Sequence, residues 1–209
     1  MKTIFSIAIL VFLASCVSSP TPEAAKSDSK GTGSTTGGNP VTSTQSLTVP
    51  VVRVKNYNQY NMTLEKLTGL NRSAYNGLFD QIKGSMPADN DIGGLTPFNL
   101  IAMTRLADAY CKDFINREAA TPALGPILSP LNVDGVREFL FSRFLDVASA
   151  PENFTSLEVE VENVLRNDDG AGAGAKLFPN VTNDFNGNKG LATAACVTIL
   201  ASAYITLLE

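Results

Sequence analysis

The sequence predicts an all-α domain over residues 47–209, a single bundle of five or six helices around an apolar C-terminal helix. Three observations carry this prediction. Apolar residues recur at helical spacing in successive segments from Asn56 onward. Start and stop signals such as Thr96-Pro97 and Thr68-Gly69 punctuate those segments. The stretch Leu191 to Leu208 carries no charged residue, which suits a helix buried on every side.

The elements follow in order. Leu47 to Lys55 is rich in β-branched residues and reads as one extended segment, with Pro50 confining it to an edge or to no sheet. Asn56 to Leu67 reads as a short helix stopped by Thr68-Gly69. Ser73 to Met86 places Tyr75, Leu78, Phe79, Ile82 and Met86 on one stripe. Pro87 and the polar Asp89-Asn90-Asp91 stretch break it. Thr96 caps the next helix, and Pro97 occupies its first position, where a missing N–H costs nothing. Phe98, Ile101, Leu106, Ala109, Tyr110 and Phe114 are spaced for burial there, while Arg105, Asp108 and Lys112 share a polar face suited to ion pairs.

Ala119 to Pro130 is proline-rich and loop-like. Asn132 opens a fourth helix, with Val136, Phe139, Leu140, Phe144 and Val147 inward. Thr155-Ser156-Leu157-Glu158 has a capping-box pattern for a fifth helix ending near Arg166. Strict alternation from Leu157 to Val161 also fits a strand, but Leu157, Val161, Val164 and Leu165 continue at helical spacing and favour the helix. Gly170 to Asn188 is a Gly- and Asn-rich connection, and the last helix spans about Gly190 to Leu208. Its uncharged stretch of about eighteen residues touches the length of a membrane span. Its Ala, Thr, Ser202 and Tyr204 content favours a buried central helix.

The N-terminus supplies the clearest functional signal. Lys2 gives a positive start, Ile4 to Leu13 gives an apolar run too short to cross a bilayer, and Leu13-Ala14-Ser15-Cys16 is a lipobox. Residues 1–15 therefore look like a bacterial lipoprotein signal peptide. That resemblance implies cleavage before Cys16, a diacylglycerol on its thiol and, usually, an acyl chain on its new amino group. Each buried methylene contributes roughly 0.8 kcal/mol, so several chains hold a protein on a membrane almost permanently. The other reading is an ordinary secretory signal with a cysteine at its end. Residues 16–46 are the lipidated cysteine and a linker dominated by Ser, Thr, Gly and Pro, without aromatics. Such a tether spans on the order of 30 Å root-mean-square. Val17 is not Asp, so the common signal for inner-membrane retention is absent. In a Gram-negative host this implies the outer membrane.

Composition excludes several function classes. The chain has no histidine, which removes Ser-His-Asp and Cys-His nucleophile systems, HExxH zinc sites and His-ligated haem. Any acid or base must be Asp, Glu, Lys or Tyr. The formal charge is −4, and no Lys/Arg cluster suggests nucleic acid as a partner. With Cys16 assigned to lipid, Cys111 and Cys196 remain. An even remainder in an oxidising compartment reads as a disulfide, closing a loop of about 85 residues for which chain entropy gives roughly 4.5 kcal/mol as an upper guide. Two reduced, buried cysteines are the alternative.

Four patterns resemble chemistry and fail a closer test. Gly170 to Lys176 lacks the Gly before the Lys and the Ser/Thr after it that a phosphate loop needs. Asp184-Phe185-Asn186-Gly187-Asn188 opens like a calcium loop, but its twelfth position is Ala195 rather than a bidentate Glu. Asp89-Asn90-Asp91-Ile92-Gly93 is weaker still. Glu158, Glu160 and Glu162 suit a solvated helix flank better than the paired carboxylates of a glycosidase. Asn-x-Ser/Thr occurs at Asn61, Asn71, Asn153 and Asn180, without meaning in a bacterial host. No catalytic, cofactor-binding or metal-binding residue is assigned.

Leu67-Thr68-Gly69, Met86-Pro87, Tyr110-Cys111, and Cys196 through Leu200-Ala201-Ser202-Ala203 form a pattern. It resembles that of a group of uncharacterised Gram-negative envelope proteins, over roughly Asn56 to Leu208. The shared motifs imply turns, a paired-cysteine staple and close helix packing. They carry no activity. The chain departs from the group in having Ala201 where a glycine is expected before Ser202. The expected function is a membrane-anchored envelope lipoprotein, held by acyl chains on Cys16 and acting without catalysis as a binding or assembly module for an envelope protein partner. A carrier of an apolar ligand, with Phe139, Phe141 and Phe144 permitting a cavity between helices, and an envelope hydrolase using Asp or Glu are the alternatives.

Overall fold

The computed structural model describes residues 53–88, 90, 95–145, 154–170 and 175–208. Cys16, the linker, Asp89, Asp91, Val147 and Asn153 lie outside them. The described fold is all-α: seven helices, joined by short 3₁₀ turns and one two-stranded antiparallel pair.

The first helix, α1 (Tyr57–Thr68), begins where Asn56 and Gln59 cap each other's backbone N–H groups, both at 3.0 Å. It ends at Gly69, whose φ of 67° is the left-handed conformation that glycine adopts without strain. The single helix expected over Ser73 to Met86 is instead three pieces. A 3₁₀ turn at Arg72–Tyr75 leads into α2 (Asn76–Ile82), and a second 3₁₀ turn follows at Lys83–Ser85. Gly77 and Gly84 lower its helical preference. Tyr75, Ile82 and Met86 still reach the core, while Leu78 and Phe79 pack at its margin.

The longest helix is α3 (Pro97–Glu118), and it starts as expected at Thr96-Pro97. Its buried residues fall in pairs, one pair per turn: Ala102/Met103, Leu106/Ala107, Tyr110/Cys111 and Phe114/Ile115. Phe98 sits one turn before the first pair and is 74% exposed, contrary to expectation. The stripe continues there beyond its last buried pair, and among the described residues none buries that ring. Ile101 and Ala109 are only half-buried. No described ion pair joins Arg105, Asp108 and Lys112; Lys112 acts on Asp108 only through longer-range attraction.

Asn132 caps α4 (Val133–Phe144) by accepting from Gly135 N–H at 2.9 Å. Val136, Leu140, Phe141 and Phe144 are buried on it. The fifth helix, α5 (Thr155–Arg166), confirms helix over strand. Its capping box does not form: Thr155 is already helical, Phe154 holds the cap position, and no side chain caps it. Asn167, left-handed at φ 56°, ends α5. Its amide brackets Phe178, accepting from that residue's N–H at 2.7 Å and donating to its carbonyl at 3.1 Å.

The final helix differs most from expectation. α6 (Phe185–Leu200) starts five residues earlier than the predicted Gly190, because Asp184 caps it through Gly187 N–H. It stops at Leu200. A break at Ala201-Ser202 leads to the single turn α7 (Ala203–Thr206), and Leu207–Leu208 forms β2 beside β1 (Arg53–Val54). The chain therefore turns where one uncharged helix was expected, because its end pairs with the incoming strand. Among the described residues no helix is long and apolar enough to cross a membrane. The centre of the bundle is α6, which packs most extensively on α3 and α5 and also meets α4. Its Leu191/Ala192, Ala195/Cys196 and Ile199/Leu200 pairs repeat the spacing of α3.

Truncating the stripe at its middle and at its overhang should give opposite results. Leu106→Ala removes a fully buried side chain and should cost about 2–5 kcal/mol. Phe98→Ala should change stability by no more than about 0.5 kcal/mol. Chemical denaturation of the two variants checks both.

Candidate functional site

Cys111 on α3 and Cys196 on α6 face each other at disulfide distance, with Sγ atoms 2.01 Å apart and Cα atoms 5.8 Å apart. Both are fully buried. The two helices run antiparallel, which brings the midpoint of each stripe to the other. Small residues, Ala107 on α3 and Ala192 and Ala195 on α6, allow the close approach.

Around this pair lies a polar network that the sequence did not reveal. The Tyr60 hydroxyl, buried completely, donates to the Leu200 carbonyl at 3.0 Å, where α6 runs out of helical N–H donors. Tyr110 donates to Asn61 Oδ1 at 2.7 Å. Its ring stacks on Tyr75 at 3.9 Å, and Tyr75 donates to Asp113 Oδ2 at 2.8 Å. Burial raises all three phenols well above their ordinary range, and for Tyr75 the bond and charge of Asp113 add to the rise. They are protonated donors at any physiological pH. The only available sequence signal was the register of Tyr60 and Asn61 on the inner face of α1. Arg117 closes the outer end by donating to the Thr68 carbonyl at 2.8 Å, satisfying an orphan acceptor at the end of α1. The Leu67-Thr68-Gly69 motif is therefore a helix stop tied to α3.

The candidate chemical motifs are used structurally. Asp184 accepts from Gly187 N–H at 2.8 Å, and this bond, with the Thr182 hydroxyl, lowers its carboxyl below the ordinary range. Asn188 donates to the Leu128 carbonyl at 2.7 Å. Asn183, Asp184 and Asn188 line a shallow cleft of about 460 Å³ with Ser129, Pro130 and Leu131. Among the described residues no group of three His, Cys, Asp or Glu side chains is placed to hold a metal. Glu162 bonds to Arg166 at 2.7 Å and to Arg137 at 3.1 Å, which lowers its carboxyl pKa. A general acid needs the opposite shift. Glu158 and Glu160 are exposed. Asp108 is raised by partial burial, with Lys112 opposing. It stands on the margin of α3 with no second carboxyl hydrogen-bonded to it.

Phe139 and Phe144, expected to permit a cavity, pack against Phe114 at 6.2 and 5.0 Å between ring centres. The sequon at Asn61 is buried in the tyrosine network. Asn71 caps a 3₁₀ turn. Gly170 and Lys176 flank residues outside the described set, so the glycine-rich loop is described only at its ends. Ser202, in the small-residue motif after Cys196, is the one described residue with a buried side-chain oxygen lacking a hydrogen-bond partner.

The two hydroxyls should be separable by substitution. Tyr110→Phe leaves Asn61 Oδ1 buried and unpaired and should cost about 1–3 kcal/mol. Tyr75→Phe releases the exposed Asp113 to water and should cost about 0.5–1.5 kcal/mol. Urea unfolding of both variants is the check, and a larger loss for Tyr75→Phe would contradict the assignment.

No protein-family model matches the chain. No curated protein matches it, and no solved structure matches its fold. The disulfide-distance pair and the tyrosine network describe a helical bundle tied across α1, α3 and α6.

Proposed function

We propose that the chain is a bacterial envelope lipoprotein, anchored through acyl chains on Cys16, whose helical domain is a non-enzymatic binding or assembly module. The observation that carries this reading is the lipobox Leu13-Ala14-Ser15-Cys16 behind a short apolar run. The Ser/Thr/Gly/Pro-rich stretch after it supplies reach. The buried Cys111–Cys196 pair fits a protein that folds outside the reducing cytosol. Val17 favours the outer membrane of a Gram-negative host. Asp184 is engaged in a helix cap and Glu162 in ion pairs, which suits a scaffold better than a hydrolase. The partner is another envelope component.

Two measurements test the reading. Cys16→Ala should abolish incorporation of labelled fatty acid and stall or release the precursor. Mature Cys16→Ala protein still fractionating with membranes would sink it. Crosslinking in cells followed by mass spectrometry should recover one stoichiometric envelope protein; recovery of the chain alone argues against an assembly module.

The staple has its own test. Intact mass of the oxidised protein should show Cys111 and Cys196 without free thiols, and Cys111→Ser should lower stability by up to roughly 4.5 kcal/mol. Two alkylatable thiols in unfolded, unreduced protein would refute it.

A further inference from the structure

The domain has two distinguishable ends. At one end β1 enters, α1 and α3 begin, and β2 finishes the described chain. Hydrogen bonds join these pieces: Val54 N–H to Asn90 carbonyl at 3.3 Å, Tyr57 N–H to Pro87 carbonyl at 3.0 Å, and Asn99 Nδ2 to Ser85 carbonyl at 3.0 Å. At the other end lie Gly69, the last turn of α3 and the start of α6, where Asn188 meets Leu128. The apolar stripe of α3 overhangs the core at the first end. Phe98 is 74% exposed and Leu100 47% exposed, and Thr96 and Pro97 beside them are exposed too.

From this placement we infer that the end carrying β1 and the first turn of α3 rests on the phospholipid surface that holds the anchor. Phe98 and Leu100 then lie at the boundary between headgroups and acyl chains. The inference rests on the lipoprotein reading of Cys16. Three considerations select a bilayer as the occupant. The chain from Cys16 reaches the domain at Arg53, so this end is where the tether delivers it, and tethering raises the effective concentration of the surface it faces. Phe98 and Leu100 stand about 200° apart around the first turn, and helical side chains lean toward the N-terminus, so the two border the end of the helix on opposite sides. That shape meets a flat surface and does not fit a groove between helices. Arg53, exposed on the strand that enters at this end, adds a cation suited to anionic headgroups. The other large exposed apolar side chains are dispersed: Met62 lies midway along α1, Val159 on α5, and Phe185 at the opposite end, where α6 starts.

The chain contains no tryptophan, so a single one reports its own surroundings. Full-length lipidated Phe98→Trp and Phe185→Trp proteins are reconstituted into phosphatidylethanolamine/phosphatidylglycerol vesicles containing brominated phosphatidylcholine. Both positions are exposed, so neither substitution removes core packing. Phe98→Trp should show blue-shifted emission and be quenched several-fold more than Phe185→Trp. Co-sedimentation with vesicles together with equal, weak quenching of the two would overturn the docking inference while leaving the anchor intact. Failure to co-sediment would overturn the anchor reading itself. A blue shift without quenching, accompanied by self-association, would assign the surface to a second copy and overturn the bilayer as its occupant.

Discussion

The antiparallel contact of α3 with α6 is the constraint on which the rest of the fold depends. Both helices present buried residues in pairs repeating every four positions, so each offers a broad apolar stripe rather than a narrow seam. Alanines at Ala107, Ala192 and Ala195 let the backbones approach, and the buried cysteines meet midway. Once this pair is in place, α5 and α4 cover the remaining faces of α6, and α1 covers α3. α6 is apolar nearly all round because it is packed on several sides. Its lack of an amphipathic pattern follows from its position.

The chain ends are tied to that pair by backbone chemistry. Helix α6 runs out of hydrogen-bonding partners at Leu200, and Tyr60 supplies one. The backbone then turns at Ser202, whose carbonyl accepts from Ile205 and Thr206. Lys55 donates to the carbonyls of Ile205 and Leu207, at the end of α7 and the start of β2, and burial lowers its pKa. A cation beside helix C-terminal carbonyls is electrostatically favoured. The incoming strand β1 and the last described residues therefore hold each other.

The polar side chains of the domain tie its elements to one another. Tyr60, Tyr75 and Tyr110 each give a hydroxyl to a named acceptor, and each remains protonated because ionising it would place charge in an apolar setting. Asn61, Asn132, Asn167, Asp184 and Asn188 spend their amides or carboxylate on backbone or tyrosine partners. Side chains so engaged orient helices.

Much of the helical layout was legible before any coordinates. Local signals are sufficient where the physics is local: Asn56, Thr96 and Asn132 cap their helices, Gly69 ends one, and Leu157, Val161 and Leu165 reveal a buried helix face. Cys111 and Cys196 were paired by counting, since only two cysteines remained once Cys16 was assigned elsewhere. Tertiary structure decided what spacing alone cannot. Phe98 has the right period for burial but lies past the end of the core, and no local rule reports where a core ends. The uncharged C-terminal stretch breaks at Ala201-Ser202 because its last residues pair with a strand some 150 positions earlier in the chain. The Tyr60–Leu200 and Tyr110–Asn61 bonds likewise join residues 140 and 49 positions apart. Composition and pattern determined that the chain folds as helices. Long-range hydrogen bonding and the finite extent of the core determined how those helices end, and which apolar side chains remain uncovered.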